Sequence, residues 1–511
     1  MENNIAYGAR VRLRYATLVN ILSRISSVFA SLFFTISVTR RLSVEEFGIW
    51  TMIFKYVGYV TPFIIVYTYW LPRTISRGVN TAKTGLAMAA SIGLFASIAY
   101  VGVAFGASFF FNQPLVPLLI ASFIVFQEYV NRCLIHISIA HKPQYSGISE
   151  FVLKTTQALS AVLLVLFYKL GILGAVFAVI IGRLSSIILL YLVNAEIISK
   201  SNISLATIRK WIKQSWLPLY SSFAVRISAF DVLIVRIFAG SEEPIAYYGV
   251  SLSTLGLLAV PTRVMPALYA RLLAKRDIRD VVEVFWIAYM LLIPMVMGII
   301  LYAEPIIAVY SINYVPASWT LRIFALSALI RGLSTILSTT LKGLETRDYM
   351  YKNVKLRKTI LFKIPVVRTI TSIVYLASLS LASCILQYNY VLLSNAWGIA
   401  YLINFALLVL AYNTMLKKEF SVSLPYRVLL KYVGTFVAAS IAIVLIRFIM
   451  PVKPYIRVWD LLEHLTPAIL ASTLAYFATL YIISSKFREF TRACARYLKG
   501  VKEKYFTIFF S

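Results

Sequence analysis

GILGAVFAVIIGRLSSIILLYLVN, residues 171–194, runs for 24 residues with a single charge, Arg183. About 20 apolar residues in a row are enough to cross a bilayer as a helix. Runs of this kind recur near 16–38, 47–70, 85–110, 115–140, 147–167, 214–239, 245–268, 282–303, 317–341, 362–386, 390–415, 429–450 and 464–485. The whole chain of 511 residues is 60% hydrophobic and only 14% charged, with a mean hydropathy of +0.81. Soluble domains are about a quarter charged. These observations predict an all-α polytopic membrane protein of about fourteen spans. The first run is too long for the core of a signal peptide and lacks a small-residue cleavage site, so it is read as span 1.

The net charge is +30. In a soluble protein that would suggest nucleic acid; here the position of the charge decides. With the N-terminus inside, one set of loops and the two ends carry 33 of the 50 Lys and Arg residues, the opposite loops carry 6, and 11 fall within spans. Cytoplasmic loops are the ones enriched in Lys and Arg, so both termini are expected in the cytoplasm of a cell-membrane protein, with the basic loops against anionic lipid. No nucleic-acid partner is implied. Cys133, Cys384 and Cys494 lie far apart, which predicts neither a disulfide framework nor a metal site. His136, His141 and His464 likewise lack metal-ligand spacing. No phosphate-cradling Gly-x4-Gly-Lys-Ser/Thr loop exists, which argues against an ATP-driven pump. No cofactor is predicted.

The eleven cations within spans are Arg24, Lys55, Arg132, Lys154, Arg183, Arg226, Arg236, Arg263, Arg322, Arg331 and Arg368. Only Glu128 and Asp231 are acidic at comparable depth. A cation at the bilayer centre costs about 2.5–3.5 kcal/mol even on the gentlest scale. Arg236, Arg263 and Arg322 lie near span ends and can snorkel to the interface. The others cannot all face lipid, and two carboxylates cannot neutralise them. A hydrated cationic cavity that receives an anion accounts for them.

The chain also echoes itself. Arg24-Ile25-Ser26 recurs as Arg226-Ile227-Ser228, Phe47-Gly48 as Tyr248-Gly249, Pro62 as Pro261, Arg132 as Arg331 and Lys142 as Lys342, at offsets of 202, 201, 199, 199 and 200. Lys154 and Arg368 are 214 apart, as a longer loop before span 11 requires. A near-constant offset is the mark of a duplication. It predicts lobes at 1–200 and 201–425, each of six spans, with two further helices and a basic tail at 426–511. A six-span unit keeps its orientation, so a pseudo-two-fold axis along the membrane normal should relate the lobes. Pro62 and Pro261 should kink spans 2 and 8, as packing features or as hinges. Arg24 and Arg226 should face each other across a central cleft, or else bond carbonyls or Asp231 inside their own lobes.

Arg41 to Trp50, RLSVEEFGIW, resembles the Leu-x4-Phe-Gly-x-Trp segment of polysaccharide flippases, and Tyr247-Tyr248-Gly249-Val250 with Asp231 before it resembles the second-half counterpart. The layout of spans is similar to that of the multidrug/oligosaccharidyl-lipid/polysaccharide exporter superfamily. The resemblance covers nearly the whole chain. It implies a secondary transporter, not an enzyme, that flips a lipid-linked pyrophosphate oligosaccharide from the cytoplasmic to the outer leaflet by alternating access. Carried over, Arg24, Lys55, Arg226 and Arg263 are the candidate substrate-binding cations. Glu128 and Asp231 are the candidate sites for a coupling proton or sodium ion; alternatively, Asp231 is the counter-ion of a nearby Arg. A drug or cation antiporter of the same superfamily is the first rival, but its cavity should be rich in carboxylates. A membrane glycosyltransferase or polymerase is the second; Glu45, Glu46, Glu242 and Glu243 are its only outward acidic pairs, and more simply solvated loop charge.

Overall fold

The computed structural model describes residues 13–345 and 356–496. The described residues form helices joined by short turns, named here α1 (Leu13–Thr39), α2 (Val44–Val60), α3 (Ala82–Phe111), α4 (Ser122–His141), α5 (Gln144–Ala161), α6 (Gly171–Ser199), α7 (Trp216–Arg226), α8 (Asp231–Ala239), α9 (Glu243–Leu255), α10 (Met265–Lys275), α11 (Ile278–Leu301), α12 (Ser318–Leu344), α13 (Ile360–Leu386), α14 (Tyr390–Phe420), α15 (Tyr426–Ile449) and α16 (Val458–Ile483). Shorter helical pieces lie between them.

Eleven helices among the described residues are long and apolar enough to cross a membrane, and a bent pair starting with α2 makes a possible twelfth. The expected count of about fourteen is therefore not confirmed: the expected spans 7 and 8 are interrupted and do not count among these helices. Span 7 is split into α7 and α8 by a 3-10 turn over Ile227–Phe230. Span 8 is split into α9 and α10 by 3-10 turns at Leu257–Ala259 and Pro261–Val264. Each piece alone is too short to span. Span 2 breaks in the same way: α2 ends at Val60, a 3-10 turn covers Pro62–Ile64, and the chain bends by 44°. Pro62 and Pro261 each open a 3-10 turn, because proline lacks the N–H that would continue the helix ladder.

Packing sorts the chain into two compact units. One comprises Met1–Leu257 with Arg347–Leu408, the other Leu258–Thr346 with Val409–Ser511. In the first, α1 lies along α5, α5 along α6, and α4 against both α3 and α6. Buried Tyr56, Tyr67, Tyr100 and Tyr129 fill its interior. In the second, α11 packs on α12 and α15, and α15 on α16. There the buried Tyr476 hydroxyl donates to the Met290 carbonyl at 2.8 Å.

The repeated glycines have a shared structural reason. α2 and α9 pack together, and a Cβ built on Gly48 would lie 2.3 Å from the Glu242 carbonyl oxygen. A Cβ on Gly249 would lie 2.4 Å from Thr51 Oγ1. Each glycine lets its helix approach the other half's counterpart. Gly48→Ala is expected to lower the melting temperature of detergent-solubilised protein, since the clash is with backbone and overpacking costs about 1–3 kcal/mol. Gly106→Ala, whose Cβ would meet nothing within 4 Å, should be neutral or stabilising. Equal melting of the two variants would refute the close-approach account.

Candidate functional site

The break in α2 creates the first feature. A helix would bond the N–H of residue 62 to the carbonyl of residue 58. Pro62 has no N–H, so the Gly58 carbonyl is orphaned. Arg226, at the end of α7, fills the gap: its Nη1 donates to Gly58 O at 2.7 Å. Thr61 Oγ1 donates to the same oxygen at 3.2 Å. Two residues on, the Val60 carbonyl accepts from the Tyr129 hydroxyl of α4 at 2.6 Å. Ser222 of α7 donates to Pro62 O at 3.2 Å, and Tyr59 donates to Ala229 O at 2.8 Å while stacking on Phe230. Proline and arginine, read separately from the sequence as hinge and cavity cation, are two parts of one joint. Arg226 does bond a carbonyl, but one 168 residues away in sequence, on α2.

The second feature is a buried ion pair. Asp231 opens α8, with its side chain 3% exposed, and Lys55 of α2 approaches its Oδ1 at 3.0 Å. The same oxygen accepts the Val232 backbone N–H at 2.8 Å, and Oδ2 accepts the Tyr375 hydroxyl of α13 at 2.9 Å. The Tyr375 oxygen in turn accepts Trp397 Nε1 of α14 at 2.7 Å. Lys55 also donates to the Tyr248 hydroxyl of α9 at 3.0 Å, and the Tyr248 ring stacks on Trp397 with centroids 4.1 Å apart. Four side chains, from α2, α9, α13 and α14, thus gather around the one carboxylate of α8, two of them bonded to it directly. The counter-ion expected for Asp231 was an Arg; it is Lys55. Arg226 is engaged at Gly58 and stands immediately before the 3-10 segment that leads to Asp231. An ammonium therefore occupies the place a coupling cation would take on Asp231, and Lys55 is spoken for.

Glu128 of α4 is shared between two guanidiniums. Its Oε1 accepts Arg132 Nε at 2.7 Å, and its Oε2 meets Arg183 Nη1 of α6. Arg132 keeps 52% of its side chain uncovered. Arg183 has a buried Nε with no partner among the described residues.

Arg24 is exposed on α1, with no hydrogen bond or ion pair among the described residues. The Arg263 side chain lies outside the described residues. Two cations expected to snorkel are instead paired: Arg236 Nε with Glu242 Oε1 at 2.7 Å, and Arg322 Nη2 with Glu304 Oε1 at 3.2 Å. Glu242 also accepts Gln113 Nε2 at 3.2 Å, and Glu46 closes a capping box with Ser43 at the start of α2. Those carboxylates have structural work, which weakens the polymerase alternative. Sequence reasoning missed Tyr375 and Trp397, because neither stands in a motif. Tyr248 was visible as part of the repeated Tyr-Gly.

No family model matches the chain, and no curated protein matches it by sequence. Solved structures do. Lipid II flippase MurJ in an inward closed conformation matches at 16% identity and a TM-score of 0.63, over 93% of this chain and 99% of that one. An inward-facing multidrug-resistance MATE transporter of the MOP superfamily matches at 12% identity and a TM-score of 0.60, over 80% and 99% of the two chains. An outward-facing one matches at 14% identity and a TM-score of 0.55, over 82% and 97%. The chain has the fold of the MOP-superfamily transporters.

Proposed function

We propose that this chain, built on the fold shared by multidrug transporters and a lipid II flippase, is a secondary transporter of an anionic lipid. Its substrate is a lipid-linked pyrophosphate oligosaccharide, carried from the cytoplasmic to the outer leaflet of the cell membrane by alternating access of the halves 1–200 and 201–425. The product serves cell-surface polysaccharide or glycoprotein synthesis. Both termini are cytoplasmic.

The observation that carries this reading is the positive charge left over after pairing. Carboxylates engage Lys55, Arg132, Arg183, Arg236 and Arg322. Among the described residues, Arg24 and Arg368 in the first unit and Arg331 in the second have neither a carboxylate nor a side-chain hydrogen bond. Arg226 has only carbonyl partners. Such charge suits an anion and repels an organic cation. Coupling to a proton or sodium ion through Asp231 or Glu128 requires the protein first to release the cation it already holds there.

Reconstituted vesicles provide the test. A fluorescent polyprenyl-pyrophosphate sugar should become protected from an external probe, while an organic cation of the antiporter class should not accumulate. The reverse pattern would replace the flippase with the antiporter. Orientation is checked separately: cysteine at Asn112 should label from outside intact cells, and cysteine at Asn202 only after permeabilisation. External labelling at 202 would invert the proposed direction.

A further inference from the structure

We infer that the short helix Leu205–Gln214 is a docking surface for anionic phospholipid: it lies along the cytoplasmic face of the bilayer and gathers acidic headgroups with Arg209, Lys210 and Lys213. Only the name of the leaflet rests on the orientation proposed above. Between Glu196 and Asp231 the chain has no acidic residue, and its charges are Lys200, Arg209, Lys210, Lys213 and Arg226. At 3.6 residues per turn, Leu205, Ile208 and Ile212 fall on one stripe of the helix, and Arg209, Lys210 and Lys213 on the adjoining one. Trp211 points a third way, into the protein, and is 2% exposed, whereas Leu205 and Ile212 are 69% and 58% exposed. All three cations are exposed, and none has an ion pair or hydrogen bond among the described residues. A buried anchor, a bare aliphatic stripe and an unneutralised basic stripe suit the boundary between hydrocarbon and water. In water the aliphatic stripe would stay uncovered, and in hydrocarbon the cations would be stranded.

The helix is fastened at both ends. Ser204 caps its start, accepting the Thr207 N–H at 3.2 Å, and the Ser204 N–H donates to Thr84 Oγ1 of α3 at 3.1 Å. Thr84 Oγ1 in turn donates to the Asn202 carbonyl at 3.0 Å. At the other end, Ser215 Oγ donates to the Trp211 carbonyl at 2.6 Å and accepts Trp70 Nε1 at 2.9 Å. Trp70 belongs to the limb of span 2 beyond Pro62. That limb ends at Ile75, α3 starts at Ala82 and α6 ends at Ser199, so both fastenings lie at the end of the first unit where these helices turn. A helix of 10 residues is about 15 Å long. Held at both ends there, it lies across the ends of the spans and does not stand away from them. The bare stripe continues into Ile203 and Trp216, which are also exposed, and tryptophan is favoured at headgroup level. The apolar stripe is thus continuous with the lipid-facing surface, and the basic stripe beside it complements acidic headgroups.

The experiment uses the full-length chain with an environment-sensitive fluorophore on Ile212→Cys, in a Cys384→Ser, Cys494→Ser background; Cys133 is buried. The protein is reconstituted in vesicles of phosphatidylcholine and phosphatidylglycerol, with brominated acyl chains placed on one lipid or the other at matched amounts. Both brominated lipids should quench the fluorophore. Phosphatidylglycerol should quench severalfold more per molecule, since each basic residue near an anionic surface strengthens the contact about fivefold, and salt should reduce that preference. Arg209→Gln, Lys210→Gln and Lys213→Gln together should abolish the preference while leaving quenching itself and the melting temperature unchanged, because the three side chains are exposed and unbonded. Equal quenching by the two lipids around the unsubstituted helix, or a preference that survives the triple substitution, would overturn the assignment of anionic lipid to these cations. Absence of quenching by either lipid would place the helix in water and overturn the membrane surface altogether. None of these outcomes depends on what the protein transports, so the transport reading stands or falls separately.

Discussion

Lys55→Ala is expected to destabilise the protein by about 3–5 kcal/mol, the usual consequence of stranding one member of a buried ion pair. Asp231 is 2% exposed and would keep only the Tyr375 hydroxyl and the Val232 N–H. Neither carries a full charge. The loss should appear as a large drop in melting temperature in detergent. Lys55→Met combined with Asp231→Asn should recover much of it, because removing both charges removes the desolvation problem as well as the attraction. A stable Lys55→Ala protein would show that the carboxylate finds water or another cation in place of Lys55. Asp231→Asn separates structure from coupling. A structural carboxylate gives a less stable protein whose transport still follows the ion gradient; a coupling carboxylate gives a folded protein that ignores it.

Arg24→Ala is expected to behave in the opposite way: flipping of the pyrophosphate-linked lipid should fall tenfold or more while stability is unchanged or improved. The reason is that Arg24 is bonded to nothing among the described residues. An unpaired Arg within a span costs up to about 2.5–3.5 kcal/mol at the bilayer centre, so removing it relieves a penalty and breaks no contact among the described residues. A residue with that profile is explained by a ligand that uses it. Arg24→Lys should retain part of the activity, because the charge persists while the planar fork is lost. Measurement pairs protection of labelled lipid in vesicles with melting in detergent. Normal flipping by Arg24→Ala, or collapse of its fold, would each exclude a substrate contact there.

Much of the architecture was legible without coordinates. Hydrophobic runs of span length are set by local composition, since bilayer thickness fixes how many apolar residues a helix needs. Proline positions are local too: Pro62 and Pro261 each stand at a 3-10 break, as their missing N–H dictates. The repeat of Phe47-Gly48 and Tyr248-Gly249 was visible as an offset, though the reciprocal close approach was not. The span count was less legible. Span 7 contains no proline in its interrupted stretch Ile227–Phe230, so its break left no mark in the sequence.

By itself the sequence determined an all-helical chain with many membrane-length apolar runs, its kink positions and its surplus of cations within those runs, because each depends on residue type and spacing along one dimension. Only the tertiary structure decided which cations are free. Lys55 and Asp231 are 176 residues apart, and Arg226 and Gly58 are 168 apart. Depth in the membrane could be read for every charge, but the identity of its partner could not. An ion pair is made by whichever side chains the packing of several helices brings within 4 Å, and that distance is not encoded in any single span. The same limit explains why Lys55, which looked like a substrate cation, is engaged by Asp231, while Arg132, bonded to Glu128, keeps half of its side chain uncovered.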